Sequence, residues 1–189
     1  YYDAKDIPQG FLLYWVEEDV FHIREMVYLT QEARKGLWNF IRAHYSMIDA
    51  VKGHIYTGEP LAFLLDESQI QETIEPYFMA RIVDVAQFLR LYPFEGSIRP
   101  FHFVVTDPMA EWNNGIFSVA TDREGTVSVT DEPAGKAVEL DIQTLSAMLM
   151  GYKRPSYLAR IERLHTDKRT LRLLEEIIPD GQPYFSDYF

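Results

Sequence analysis

Apolar positions along this chain recur with two different periods, and the change of period marks out its elements. Phe11-Leu12-Leu13-Tyr14-Trp15-Val16 is an unbroken apolar run, which predicts a strand buried on both faces. Glu17-Glu18-Asp19 supplies a short acidic turn, and residues 20–29 predict a second strand with Phe21, Ile23 and Val27 on one side. So tight a connection predicts an antiparallel hairpin. Thr30 is placed to cap a helix, because its hydroxyl accepts an orphan backbone N–H. Ala33, Leu37, Phe40, Ile41 and His44 follow at helical spacing, so this helix is expected to run to about Tyr45. Residues 48–56 predict a third strand, Thr57-Gly58-Glu59-Pro60 a turn, and residues 61–65 another short apolar run.

The stretch 66–76 is polar and ends in proline, which predicts a boundary between a domain at 1–75 and a second at 76–189. Residues 77–83 then predict a strand, and Asp84 caps a short helix carrying Val85, Phe88 and Leu89, ended by Pro93. Residues 97–140 read as an antiparallel sheet. Phe101, Phe103 and Val105 alternate, and Asn113-Asn114-Gly115 is a turn signal. Strands at 116–121 and 126–130 flank the polar turn 122–125, and Val138 and Leu140 close the sheet. Three helices are expected after it. The first starts at Asp141, carries Ile142, Leu145, Met148 and Leu149, and is closed by Gly151. The second opens on Pro155 and bears Leu158, Ile161 and Leu164; the third is capped by Thr166 or Asp167, bears Leu171, Leu174, Ile177 and Ile178, and stops at Pro179.

Composition narrows the class. Apolar residues make up 47% of the chain and aromatic residues 14%, enough for a sizeable core. With no cysteine, disulfides, thiolate metal sites and cysteine nucleophiles are excluded, and the absence fits a reducing cytoplasm. A formal net charge of −11 repels phosphate backbones, which argues against nucleic acid as a partner. No apolar run is long enough to span a bilayer, so no membrane is expected either. His22, His44, His54, His102 and His165 stand at no ligand spacing, and no metal site is expected. The opening Tyr1-Tyr2-Asp3-Ala4-Lys5-Asp6 is neither a signal peptide nor an initiating methionine, and reads as a cut inside a longer protein.

The order strand, strand, capped helix, strand over 11–56 resembles the core of a GNAT acetyltransferase fold. That fold carries R/Q-x-x-G-x-G/A after its long strand, where backbone amides hold the coenzyme A pyrophosphate. The corresponding stretch here is Thr30-Gln31-Glu32-Ala33-Arg34-Lys35-Gly36: the paired glycines are missing and Glu32 brings a negative charge. Further runs are Met79-Ala80-Arg81-Ile82-Val83-Asp84, Trp112-Asn113-Asn114-Gly115, Leu145-Ser146-Ala147-Met148-Leu149-Met150-Gly151-Tyr152 and the closing Ser186-Asp187-Tyr188-Phe189. Together they resemble the Eis-like (enhanced intracellular survival protein-like) GNAT N-acetyltransferases, over essentially the whole chain.

The resemblance implies an α+β chain: a degenerate GNAT-like mixed sheet with helices, then a sterol-carrier-protein-like sheet covered by helices. It implies that no cofactor binds this chain and that acetyl-CoA belongs to a missing N-terminal GNAT domain of the same protein, which is the expected partner. A small-molecule amine is the implied substrate, and the full-length protein is expected to be a homo-oligomer. The family's proposed general base is the terminal carboxylate, which here belongs to Phe189, with Asp187 and Tyr188 as candidate substrate-binding residues. An ionised carboxylate attracts and orients a cationic amine. This chain alone is expected to be inactive. Two alternatives stand beside that reading: an apolar-ligand-binding module, with Phe101, Phe103, Met148, Met150 and Tyr152 lining a cavity, and an oligomerisation scaffold.

Overall fold

The computed structural model describes residues 1–55, 61–65, 69–75, 78–121, 126–183 and 185. Two compact units divide the chain, Tyr1–Ser68 and Gln69–Phe189.

In the first unit, β1 (Gly10–Glu17) and β2 (Val20–Tyr28) form the expected antiparallel hairpin. Its two linking residues, Glu18 and Asp19, both take positive φ, as a tight two-residue hairpin turn demands. Thr30 caps α1 (Gln31–Arg42) by accepting from the Ala33 amide at 3.1 Å. That helix buries Ala33, Leu37 and Ile41 and stops three residues short of Tyr45. The third strand is shorter than residues 48–56: β3 covers Ala50–Gly53 and runs parallel to β2, giving the order β1-β2-β3. The run at 61–65 contains a single helical turn, α2 (Leu61–Leu64).

The expectation of a first strand buried on both faces is wrong for this unit. Leu13 and Trp15 are 47% and 46% exposed. As an edge strand, β1 has a neighbour on one side only, and α1 packs on one face of the sheet. On that face Tyr14 stacks on Phe21 at 4.6 Å. On the other, Trp15 stacks on His22 at 4.7 Å.

The second unit is a five-stranded sheet with helices. Its strands are β4 (Phe101–Thr106), β5 (Gly115–Thr121), β6 (Val127–Thr130), β7 (Lys136–Asp141) and β8 (Leu164–His165), in the order β6-β5-β4-β7-β8. The sheet is mixed and not purely antiparallel, because β7 lies parallel to β4. Gly135 makes the return possible: its φ is +67°, and a Cβ there would lie 1.8 Å from the Pro100 carbonyl oxygen. The turn at 122–125 lies outside the described residues.

Residues 78–83 are not a strand. Two of their backbone groups bond to side chains instead of to a neighbouring strand. The Ile82 amide donates to Ser146 Oγ, and the Val83 carbonyl accepts from Trp112 Nε1 and Asn113 Nδ2. Asp84 caps α3 (Val85–Leu91), Asp141 caps α4 (Ile142–Leu149) and Asp167 caps α6 (Lys168–Ile177). Pro155 opens α5, which ends at Arg160, so Leu164 belongs to β8 and not to that helix. Phe101, Phe103, Val138, Leu145, Met148, Leu174 and Ile177 are all nearly or fully buried in one core. The fold is α+β throughout.

Candidate functional site

The start of α1 is the turn that the resemblance compares with a pyrophosphate-binding turn. Here one of the amides of the turn meets the chain's own groups. Thr30 Oγ1 already accepts from the Ala33 amide. Glu32 accepts a hydrogen bond from the Tyr1 hydroxyl at 3.0 Å, which draws its carboxylate to the same turn. The Tyr1 ring also covers Gly36, where a Cβ would lie 2.2 Å from Cε2. This turn presents an incoming phosphate with a carboxylate and a ring, and its residues do not fit that group.

The three candidate residues of the tail, Asp187, Tyr188 and Phe189, lie outside the described residues. The path that leads to them is described, and it is fastened at three places. At the end of α6, Arg154 bonds Glu175 through Nε at 2.9 Å and through Nη2 at 2.8 Å. The same guanidinium donates to the carbonyls of Glu175, Ile178 and Pro179 at 2.7, 2.9 and 3.1 Å. The Glu175 carbonyl is among the orphan carbonyls that a helix C-terminus leaves, and the other two lie just past it. The second oxygen of Glu175 accepts from the Ser156 amide at 2.6 Å. Burial would raise the Glu175 carboxyl, but the Ser156 amide and hydroxyl and Arg154 outweigh it and hold it below its usual range.

Further along, Gly181 crosses Gly151, which ends α4 at φ +76°. Then the Phe185 ring packs on Phe78 with centroids 5.5 Å apart. Sequence reading did not single out Arg154 or Glu175. Their one visible signal is an arginine immediately before the proline that opens a helix, since a residue in that position is extended and directs its side chain away from the helix it precedes.

A second cluster was also not foreseen. Asp107 is fully buried and accepts from Arg81 Nη2, from Asn113 Nδ2 at 2.9 Å and from the Met109 and Ala110 amides at 3.0 and 3.1 Å. Burial would push this carboxyl up, yet the bonds from Asn113, Arg81 and the two amides prevail and hold it well below the ordinary carboxylate range. Asn114 closes the loop, its Oδ1 accepting from the Asp107 amide at 2.7 Å and its Nδ2 donating to the Asp107 carbonyl at 2.6 Å. These are internal bonds that knit the loop between β4 and β5.

The histidines are individually placed. His44 Nδ1 bonds the Phe40 carbonyl at 2.9 Å amid the rings of Tyr14, Phe21 and Phe40. His102 Nδ1 bonds the Ala134 carbonyl at 3.0 Å. Among the described residues no three His, Asp or Glu side chains gather as a metal site would require. Phe101, Phe103 and Met148 are packed into the core, while Tyr152 is exposed. No helix of the described residues is long and apolar enough to cross a membrane.

Comparison with known proteins fits this architecture. Residues 1–82 match the acetyltransferase (GNAT) domain family, and residues 85–186 match the sterol carrier protein domain family. No curated protein matches the chain. Among solved structures, it is similar to a conserved protein of unknown function from Enterococcus faecalis, described as a probable N-acyltransferase. The identity is 32% and the TM-score 0.91, over 100% of this chain and 49% of that one. It is similar to a GCN5-related N-acetyltransferase from Anabaena variabilis at 27% identity and a TM-score of 0.81, over 95% of this chain and 47% of that one. Eis1 from Mycobacterium abscessus, at 19% identity, shares the fold with a TM-score of 0.76, over 97% of this chain and 49% of that one. The chain thus spans about half the length of the solved structures it matches. It belongs to the sterol carrier protein domain family and, with the GNAT domain that precedes this part, to the family of the probable N-acyltransferase from Enterococcus faecalis.

Proposed function

We propose that the full-length protein is an N-acetyltransferase that moves an acetyl group from acetyl-CoA to a small-molecule amine, and that this chain builds the acceptor side. On this reading acetyl-CoA is held by a GNAT domain that precedes Tyr1, because the first turn of α1 is filled by Thr30, Glu32 and Tyr1. The division of labour falls between residues 1–75 and 76–189, with the second part carrying the reactive end.

The amine reaches the enzyme as an ammonium ion and becomes a nucleophile only after losing a proton. The terminal carboxylate of Phe189 is the catalytic group assigned to that proton, with Asp187 and Tyr188 orienting the cation. A carboxylate both attracts the ammonium and accepts its proton. The observation that carries this reading is the fastening of the tail at Arg154, Gly151 and Phe78, since chain ends ordinarily fray and a frayed end is a poor base.

The test adds one glycine after Phe189 in the natural full-length protein. Every side chain is kept, while the carboxylate moves by about 3.5 Å. Turnover is expected to fall by roughly 10²- to 10⁴-fold. Unchanged turnover with an unchanged pH profile would remove the carboxylate from the mechanism.

A further inference from the structure

We propose that Met109 is a reversible oxidation site, at which hydrogen peroxide converts the thioether to a sulfoxide and the Arg81 guanidinium then bonds the new oxygen, tightening the loop between β4 and β5. The inference is independent of the carboxylate reading above.

The chain has six methionines, and exposure divides them. Met148 is fully buried, and Met26 and Met150 are partly buried. Met47, Met79 and Met109 are 62%, 100% and 81% exposed, so peroxide reaches all three. Among the described residues, Met109 is the one of these three whose sulfur accepts a hydrogen bond, from Arg81 Nη1 at 3.9 Å. Both partners are held in place. The Met109 amide donates to Asp107 Oδ1 at 3.0 Å, and Arg81 Nη2 bonds Asp107 Oδ2. Asp107 is fully buried, so it fixes one side of the guanidinium and leaves Nη1 for the sulfur.

In the reaction a sulfur lone pair attacks one peroxide oxygen and the O–O bond breaks. The distal oxygen leaves as hydroxide and takes the proton of the transferred oxygen. The products are the sulfoxide and water, and sulfur loses the two electrons that the peroxide gains. Negative charge builds on the departing oxygen, where a guanidinium beside the sulfur stabilises it. A thioether is a weak acceptor. A sulfoxide oxygen is a strong one, so the contact with Arg81 becomes a charge-assisted hydrogen bond. Oxidation of a buried methionine disrupts its packing. The Met109 side chain is exposed and has little packing to lose, so the added bond decides the sign. Sulfoxide reductases return the thioether, which makes the step reversible.

The experiment treats the natural full-length protein with dilute hydrogen peroxide, follows each sulfoxide by peptide mass spectrometry, and reads hydrogen exchange of the amides across 107–114. Met109 should be oxidised about 2-fold faster or more than Met47 and Met79, although Met79 is the more exposed. Exchange across 107–114 should slow by about 3- to 10-fold once Met109 is oxidised, and sulfoxide reductase should restore the parent's rate. Arg81→Lys keeps a cation for Asp107 but lacks the second arm of the guanidinium, and should lose both the faster oxidation and the slowed exchange. Met109→Gln carries an amide oxygen in place of the sulfoxide oxygen. Without any peroxide it should exchange more slowly than Met109→Leu, and this pair decides the matter if Arg81→Lys does not fold. Oxidation of Met109 no faster than of Met79, exchange that is unchanged or faster after oxidation, the same response in Arg81→Lys, or equal exchange in Met109→Gln and Met109→Leu overturns the proposal.

Discussion

A Cβ on Gly151 would lie 1.9 Å from the carbonyl oxygen of Gly181. The two glycines meet where α4 ends and where the tail, having left α6, crosses back over it. Gly151 also holds a φ of +76°, a conformation that L side chains rarely adopt.

The first prediction is that Gly151→Ala acts twice over. The left-handed backbone costs about 1–3 kcal/mol for a residue with a Cβ. The carbonyl of Gly181 must also move, since it is backbone and cannot rotate away as a long side chain would. Chemical denaturation should report the loss of stability, and carboxypeptidase trimming should report a loosened tail. An alanine variant as stable and as slowly trimmed as the parent would show that the crossing does not confine the tail.

The second prediction concerns Ser146, whose hydroxyl donates to the Ile142 carbonyl at 2.8 Å and accepts from the Ile82 amide at 3.1 Å. Both groups are buried. Ser146→Ala removes little volume but leaves the Ile82 N–H with no acceptor, at a cost of about 1–3 kcal/mol. Urea unfolding is the measure. Ser146→Thr keeps the hydroxyl and should recover part of the loss.

That same bond explains an error of sequence reading. Residues 78–83 form a short, mostly apolar run as a strand would, and nothing local distinguishes them from one. What decides the matter is 64 residues away in sequence: a serine on α4, with Trp112 and Asn113, takes the hydrogen bonds a neighbouring strand would have taken. The helix caps at Thr30, Asp84, Asp141 and Asp167 were legible because a cap is a local device, settled by a side chain and an amide two or three residues on. Strand order was not, since the parallel pairing of β4 with β7 depends on the close pass of Gly135 by Pro100. The exposure of Leu13 and Trp15 was hidden for a related reason. An apolar run announces burial, but it does not say which element provides it. The candidate site was legible only as a motif at the chain end. The arginine that fastens the path to it was not, because Arg154 acts on a helix that begins fourteen residues later.

The third prediction uses the depressed carboxyl of Asp107. A group whose folded pKa lies below its unfolded value of 3.8 stabilises the fold fully above that value. Its contribution is then lost as pH falls through the folded value. Asp107→Asn removes this dependence and places an amide N–H against the Asn113 amide and the Arg81 guanidinium, both of them donors. The variant should melt below the parent at neutral pH, and the gap between the two should be widest above pH 5 and narrow on acidification to about pH 2. Melting curves across that range check it. A gap that stays constant with pH would mean the Asp107 carboxylate is not what the loop bonds hold.

The last prediction is that acetyl-CoA does not bind at the start of α1. A pyrophosphate-binding helix start needs free amides, room for the phosphates to approach the backbone, and a positive field. Each condition is weakened here. Thr30 uses the Ala33 amide, the Tyr1 ring lies over Gly36, and the Glu32 carboxylate, bonded to the Tyr1 hydroxyl, puts negative charge at this turn in a chain whose net charge is −11. Titration of acetyl-CoA into the 189-residue chain should therefore give no binding heat at micromolar concentration. Glu32→Gln separates charge from shape. It removes the repulsion but keeps the ring and the cap, so it should not create binding either. If the parent chain binds acetyl-CoA at micromolar concentration, the degenerate reading of this unit is wrong. If only Glu32→Gln binds, charge alone was the barrier, and the steric part of the argument fails.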